Sequence, residues 1–286
     1  MVALPQPKNG NTELIEGSPM VHLHDSAADV EVFLQVIFDS SYFMPPPDPV
    51  DLHAVLGILW LAHKYDVPYL YRHALRHLAV PYSPSSVGDY QSTHFKSHIV
   101  CNLDQPLQAL EIITTVTKVG ELWLPPIVYY RASFHNKHAL LSAILRGTDE
   151  QVVQRCISAY TGLVRGTGTA NSFFAVQSGH SCTDHRRGNI IRLNFLNYFF
   201  SQLESEGGLN PLDMWDETAW GQFRVCSDCV NRAKSKYQAD MAAFWDQLLS
   251  IFDLPPWAEL NAMKRAALGE DTQVCVERLF SGSILD

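Results

Sequence analysis

Two short motifs hold the residues best suited to chemistry: Cys182-Thr183-Asp184-His185 and Cys226-Ser227-Asp228-Cys229, each with two residues between its ligand-type side chains. Together they supply three thiols and an imidazole, the Cys3His set of a closed tetrahedral zinc site. Thiolates and a neutral imidazole suit zinc, and a metal tying residue 182 to residue 229 would cross-link a loop-rich stretch, so the expected cofactor is a structural zinc. His180 is a substitute ligand. The gap of 40 residues between the pairs exceeds the roughly 12–20 of compact zinc modules. The plainer alternative leaves Cys226 and Cys229 flanking a helix start, with one thiol buried as a small hydrophobe. A redox dithiol needs a strand-to-helix setting that this helical region does not offer.

Catalytic constellations are weaker. Ser181, Asp184 and His185 contain the types of a hydrolytic triad, but sequence neighbours rarely present its geometry and no Gly-x-Ser-x-Gly elbow occurs. Arg165-Gly166-Thr167-Gly168-Thr169 holds a Gly-x-Gly with no preceding strand and no third glycine, and no Gly-Lys-Ser/Thr exists, so it reads as a loop. His53, His63, His73 and His77 fall on helices as ordinary surface or satisfied core residues. The expectation is a non-enzyme with no catalytic residues.

The elements that must position these residues are mostly helical. Met20-Val21-His22-Leu23 alternates briefly, which predicts a short strand over 20–24, and Asp25 or Ser26 caps a helix over Asp29–Asp39. That helix carries Val30, Phe33, Leu34, Ile37 and Phe38 as one apolar face and stops before Pro45-Pro46-Pro47. Leu52, Val55, Leu56, Leu59 and Ala62 predict a second helix, and Pro68 separates it from a third with Leu70, Ala74, Leu75 and Leu78. Residues 81–104 read as a loop and linker. Beyond it a helix starts near Gln105-Pro106 and is ended or kinked by Pro125-Pro126, another covers Ile127–Leu145, and a shorter one covers Asp149–Leu163. Arg165–Ser181 is a loop, Asn189–Leu203 a helix, and Tyr237, Met241, Phe244, Trp245, Leu248 and Phe252 form a stripe that reads as a core face.

A chain of 286 residues with 47% hydrophobic and 18% charged composition buries a sizeable core. A net charge of -9, with 21 basic residues thinly spread, argues against nucleic acid and anionic membranes as partners. The opening residues resemble no secretory signal and no apolar run reaches the roughly 18–20 residues of a bilayer span, so an intracellular protein, cytoplasmic or nuclear, is expected. Six cysteines are too few for a disulfide scaffold.

Ala62-His63-Lys64-Tyr65-Asp66-Val67-Pro68-Tyr69-Leu70, followed by Ala74-Leu75 and Leu78, resembles the late helical hairpin of BTB/POZ domains. Val21–Asp25 and Val30–Phe38 match in order that domain's last strand and following helix. Leu4-Pro5-Gln6-Pro7, Tyr42–Pro47, Gly120–Pro125 and Phe252–Trp257 look like landmarks of the BTB-containing proteins abundant in mushroom-forming fungi. The strands that open a complete BTB domain do not precede Leu4. The resemblance therefore implies a mainly α fold: a truncated BTB-like region over 1–80 with a short strand remnant, and a helical C-terminal region over 105–286. It implies a protein–protein adaptor, with cullin-type ubiquitin ligases or transcriptional machinery as partners by analogy. BTB homodimers pair through the missing front elements, so no homodimer is expected. Tyr65, Asp66, Tyr69 and Leu70 are the candidate interaction residues. The alternative functions are a zinc-stabilised helical protein without BTB activity and, ranked below it, an enzyme of unrecognised type.

Overall fold

A computed structural model describes residues 14–15, 18–20, 22–93, 98–101, 105–133, 137–145, 149–175, 190–194, 196–197, 211–212, 215, 217–222 and 224–270. Its elements are mainly helical. The strands are two-residue pieces: β1 (Leu14–Ile15) runs antiparallel to β2 (Ser18–Pro19). Met20 and residues 22–24 are not a strand. Three alternating side chains specify a strand only where a neighbour accepts the ladder, and here the pairing closes earlier in the chain.

Helix α1 (Ala27–Phe38) leads to β3 (Val50–Asp51) and α2 (Leu52–Lys64). Asp51 caps α2 by accepting from the Ala54 amide at 3.2 Å. Asp66, at φ 53, turns the chain out of α2 in the left-handed region, and the Val67 amide returns to the Ala62 carbonyl at 2.9 Å. Pro68 then sits at the start of α3 (Pro68–Tyr82), where its missing donor costs nothing. The predicted hairpin is present with its break at Pro68.

The predicted linker contains α4 (Val87–Thr93) and β4 (Ile99–Val100), which pairs parallel with β3. Buried Tyr90 of α4 meets the Tyr130 and Trp245 rings at 6.1 and 6.3 Å. Helix α5 (Gln105–Lys118) ends nearly two turns earlier than expected, because Gly120 at φ +83 takes the left-handed turn that releases it. Pro125-Pro126 therefore opens α6 (Pro125–Ser133) rather than ending α5. Residues 127–145 divide into α6 and α7 (Lys137–Leu145).

Helix α8 (Glu150–Ala170), capped by Asp149 on the Gln151 amide at 2.8 Å, takes in Arg165–Ala170, the first part of the predicted loop. Its reason lies in α10 (Ser227–Ile251), which follows α9 (Glu217–Gln222). A Cβ on Gly166 would overlap the Phe244 ring, and one on Gly162 would come 3.0 Å from Ile251. The small residues are the groove into which α10 packs. Asp253, at φ 51, ends α10, and Pro255-Pro256 precedes α11 (Trp257–Leu268). Residues from Phe33 of α1 to Leu268 of α11 share one apolar core, with side chains from both sides of the 81–104 stretch. A smaller cluster holds Ala170, Phe173, Trp220, Ala233, Tyr237 and Met241. The stripe from Tyr237 to Phe252 is buried, as its spacing predicts.

Candidate functional site

Helix α1 is apolar on two sides. Phe33 and Val36 face the core, whereas Leu34, Ile37 and Phe38, expected inside with Phe33, are exposed, Phe38 by 85%. Tyr42 and Met44 of the α1–β3 loop, and Tyr65 and Tyr69 of the α2–α3 turn, are exposed as well. Ring contacts join these segments: Phe33 lies 6.2 Å from Tyr65, Tyr69 lies 5.7 Å from His73, and Phe43 lies 4.8 Å from His73. These contacts bring α1, the loop and the α2–α3 hairpin together, and each of the three presents large apolar side chains to solvent. Such a concentration is a mark of an interaction surface.

Along α1 and the α1–β3 loop the carboxylates outnumber the cations, and Lys64 of the turn is paired with Asp25. Asp25, Asp29, Glu31, Asp39 and Asp48 fall between Val21 and Val50, a segment without Lys or Arg. Glu31, Asp39, Asp48 and Asp66 are exposed. Asp25 accepts from Lys64 Nζ and from the Tyr65 hydroxyl, both at 2.6 Å, and Lys64 first, then Tyr65, holds its carboxyl below the usual range. This ties the turn to the start of α1.

Of the four interaction residues expected from sequence, Tyr65, Asp66 and Tyr69 lie on this surface. Leu70 does not: it is 4% exposed and packs in the core, so it is corrected to a structural residue. Leu34, Ile37 and Phe38 were read as core. Val30, Val32, Phe33, Leu34, Val36, Ile37 and Phe38 give α1 more apolar surface than one core face takes up, and that excess is the signal for a second contact face.

A cleft of about 470 Å³ opens among α1, α2, α5 and the cap of α8, lined by Asp29, His53, Trp60, Glu111, Lys118 and Asp149 among others. Burial raises the Asp29 and Glu111 carboxyls. His53 Nδ1 stands 3.6 Å from Glu111, both side chains well exposed. Thr114 donates to the Leu110 carbonyl at 2.8 Å, so its hydroxyl is directed into the helix rather than toward an activating base.

Cys226 is the N-cap of α10 and Cys229 lies in its first turn, buried, with Arg232 Nη2 at 3.5 Å from its sulfur. Cys182, His185, His180, Ser181 and Asp184 lie outside the described residues. Among the described residues no group of three or more His, Cys, Asp or Glu is arranged to hold a metal ion. No helix among them is long and apolar enough to cross a membrane. In comparisons with known proteins the chain matches no family model, no curated protein and no solved structure.

Proposed function

We propose that this chain is a non-enzymatic protein-interaction module whose contact face is the end formed by α1, the α1–β3 loop and the α2–α3 turn. The exposure of Leu34, Ile37 and Phe38 on a helix already buried on its other side carries the reading. The acidic residues around the face select a partner with an apolar stripe flanked by Lys or Arg, because like charge opposes docking and opposite charge speeds it. An amphipathic basic helix has that chemistry. The hairpin's resemblance to BTB/POZ domains supports an adaptor role, with a cullin-type scaffold or transcriptional machinery as the partner class.

A Leu-Lys amphipathic helical peptide is the probe, titrated into the full chain by calorimetry. The expected result is binding that weakens with salt and a Kd that rises about tenfold or more in Phe38→Asp, with the melting temperature unchanged because Phe38 is exposed. Attraction to net negative charge alone gives the opposite sign, since the variant is more acidic. Equal or tighter binding by Phe38→Asp rejects the reading.

A second reading, a zinc-stabilised protein, draws support from the two thiols one turn apart at the start of α10. It predicts about one zinc per chain on elemental analysis, lost together with thermal stability in a Cys226→Ser, Cys229→Ser double variant. Metal-free wild-type protein with the same melting temperature as the variant ends it.

A further inference from the structure

Three imidazoles meet where the α1–β3 loop, α3 and the start of β4 come together. His73 and His77 are one turn apart on α3, and their rings stack at 5.5 Å. Phe43 of the loop packs on both, at 4.8 and 4.7 Å. His77 Nε2 lies 2.8 Å from the Met44 carbonyl, and His77 Nδ1 lies 2.9 Å from His98 Nε2. The His98 carbonyl accepts from the Val50 amide at 3.1 Å, so His98 grips the β3 end of the loop as well.

The partners assign the protons. A carbonyl only accepts, so His77 Nε2 carries a hydrogen, and neutral His77 offers a lone pair at Nδ1. His98 Nε2 then donates to that lone pair and leaves its own Nδ1 as an acceptor. His98 Nδ1 and His73 Nε2 are both buried without a partner. A proton added at His98 Nδ1 has no acceptor, and one at His77 Nδ1 sets N–H against N–H unless His98 changes tautomer. Both hydrogen bonds of His77 are satisfied only while the rings are uncharged.

The charged groups around it do little to relieve an added proton. Arg76, on α3 itself, disfavours charge on His73, and His98 and His73 disfavour it on His77. From the loop side the Met44 carbonyl and Asp48 favour a charged His77, but burial outweighs both and holds His77 at about 4. Burial depresses His73 and His98 in the same direction.

We propose that His73, His77 and His98 form a proton-operated latch: in mildly acidic solution they charge, let go of Phe43 and the Met44 carbonyl, and release the loop that carries Tyr42 and Met44. The loop is one side of the contact face, so the latch makes that face pH-dependent, an inference that rests on the interaction reading above. The sign follows from linkage. A ring whose closed-state pKa lies below its free value stabilises the closed form fully above that free value, about 6.5, and progressively less as pH falls. Each proton taken up on opening favours the open form about tenfold per pH unit in that window.

Hydrogen exchange of the full chain at pH 7.0 and 5.5, with times scaled by the intrinsic amide rate, tests it. Peptides covering 39–50 and 98–101 are expected to lose about tenfold or more of their protection at pH 5.5, while α5 and α6 keep theirs. In His77→Gln the amide can still donate to Met44 and accept from His98 while one titrating ring is lost, so the loss of protection at pH 5.5 is smaller than in wild type. His98→Gln removes a titrating ring and shifts the opening to lower pH. Wild-type protection that ignores pH overturns the latch, as does opening of His77→Gln equal to wild type. The peptide titration separates the two readings. An acid-opened loop with unchanged, Phe38-independent peptide affinity leaves the latch and rejects the contact face, whereas Phe38-dependent binding with a closed loop rejects the latch alone.

Discussion

Gly166→Ala is expected to destabilise the protein by about 3 kcal/mol, the upper part of the range for overpacking a filled core, while Gly168→Ala stabilises it by about 0.5–1 kcal/mol. The two positions are two residues apart on α8. At Gly166 an added methyl overlaps the ring of Phe244, which is itself buried and cannot swing aside without opening a void. At Gly168 an added methyl meets nothing within 4 Å and removes only the freedom of glycine in the unfolded chain. Thermal unfolding reads the contrast as a fall of about 6–12 °C for the first and a small rise for the second. Similar, small effects at both positions would mean that α8 and α10 are not in close contact at Gly166.

Leu70→Ala is expected to cost about 3 kcal/mol, since it empties a buried side chain between α2 and α3. Tyr69→Ala, at a neighbour 66% exposed, is expected to change stability by no more than about 0.5 kcal/mol. The binding readout reverses the order. Tyr69→Ala weakens the Leu-Lys peptide severalfold, and Leu70→Ala leaves the affinity of its folded fraction as in wild type. Urea unfolding and calorimetry on the same two variants decide the matter. A Tyr69 variant that loses stability like the Leu70 variant would place Tyr69 in the core.

Periodicity made the hairpin of α2 and α3 legible, down to the break at Pro68, because both helices bury a long apolar stripe. The buried face of α10 was legible for the same reason. Composition misled at Arg165–Ala170, where glycine and threonine usually signal a turn. There the decisive contact is with Phe244, nearly 80 residues later, and no local window contains it. The parallel pairing of Val50 with Ile99 is equally non-local, two residues long, and carries no pattern of its own. At α1 the spacing puts Leu34, Ile37 and Phe38 on one face with Phe33, whereas the core takes Phe33 and Val36 and leaves those three exposed. His73 and His77 read as ordinary helical residues, because the partners that complete the cluster, Met44 and His98, come from segments whose fold had no signature.

The glycines of α8 also bear on the order in which the chain assembles. Isolated, the second half of that helix, with Gly162, Gly166 and Gly168 among threonines, is a poor helix former, each glycine costing about 1 kcal/mol relative to alanine. Its first half, capped by Asp149 and free of glycine, has the better local propensity. The last two turns of α8 therefore become helical only as α10 arrives to fill their groove. A contact of that sequence separation closes a long loop before it returns any stabilisation, which places it late in folding and raises the barrier. The pairing that unites the two ends of the helical region is thus also what makes them fold as one cooperative unit.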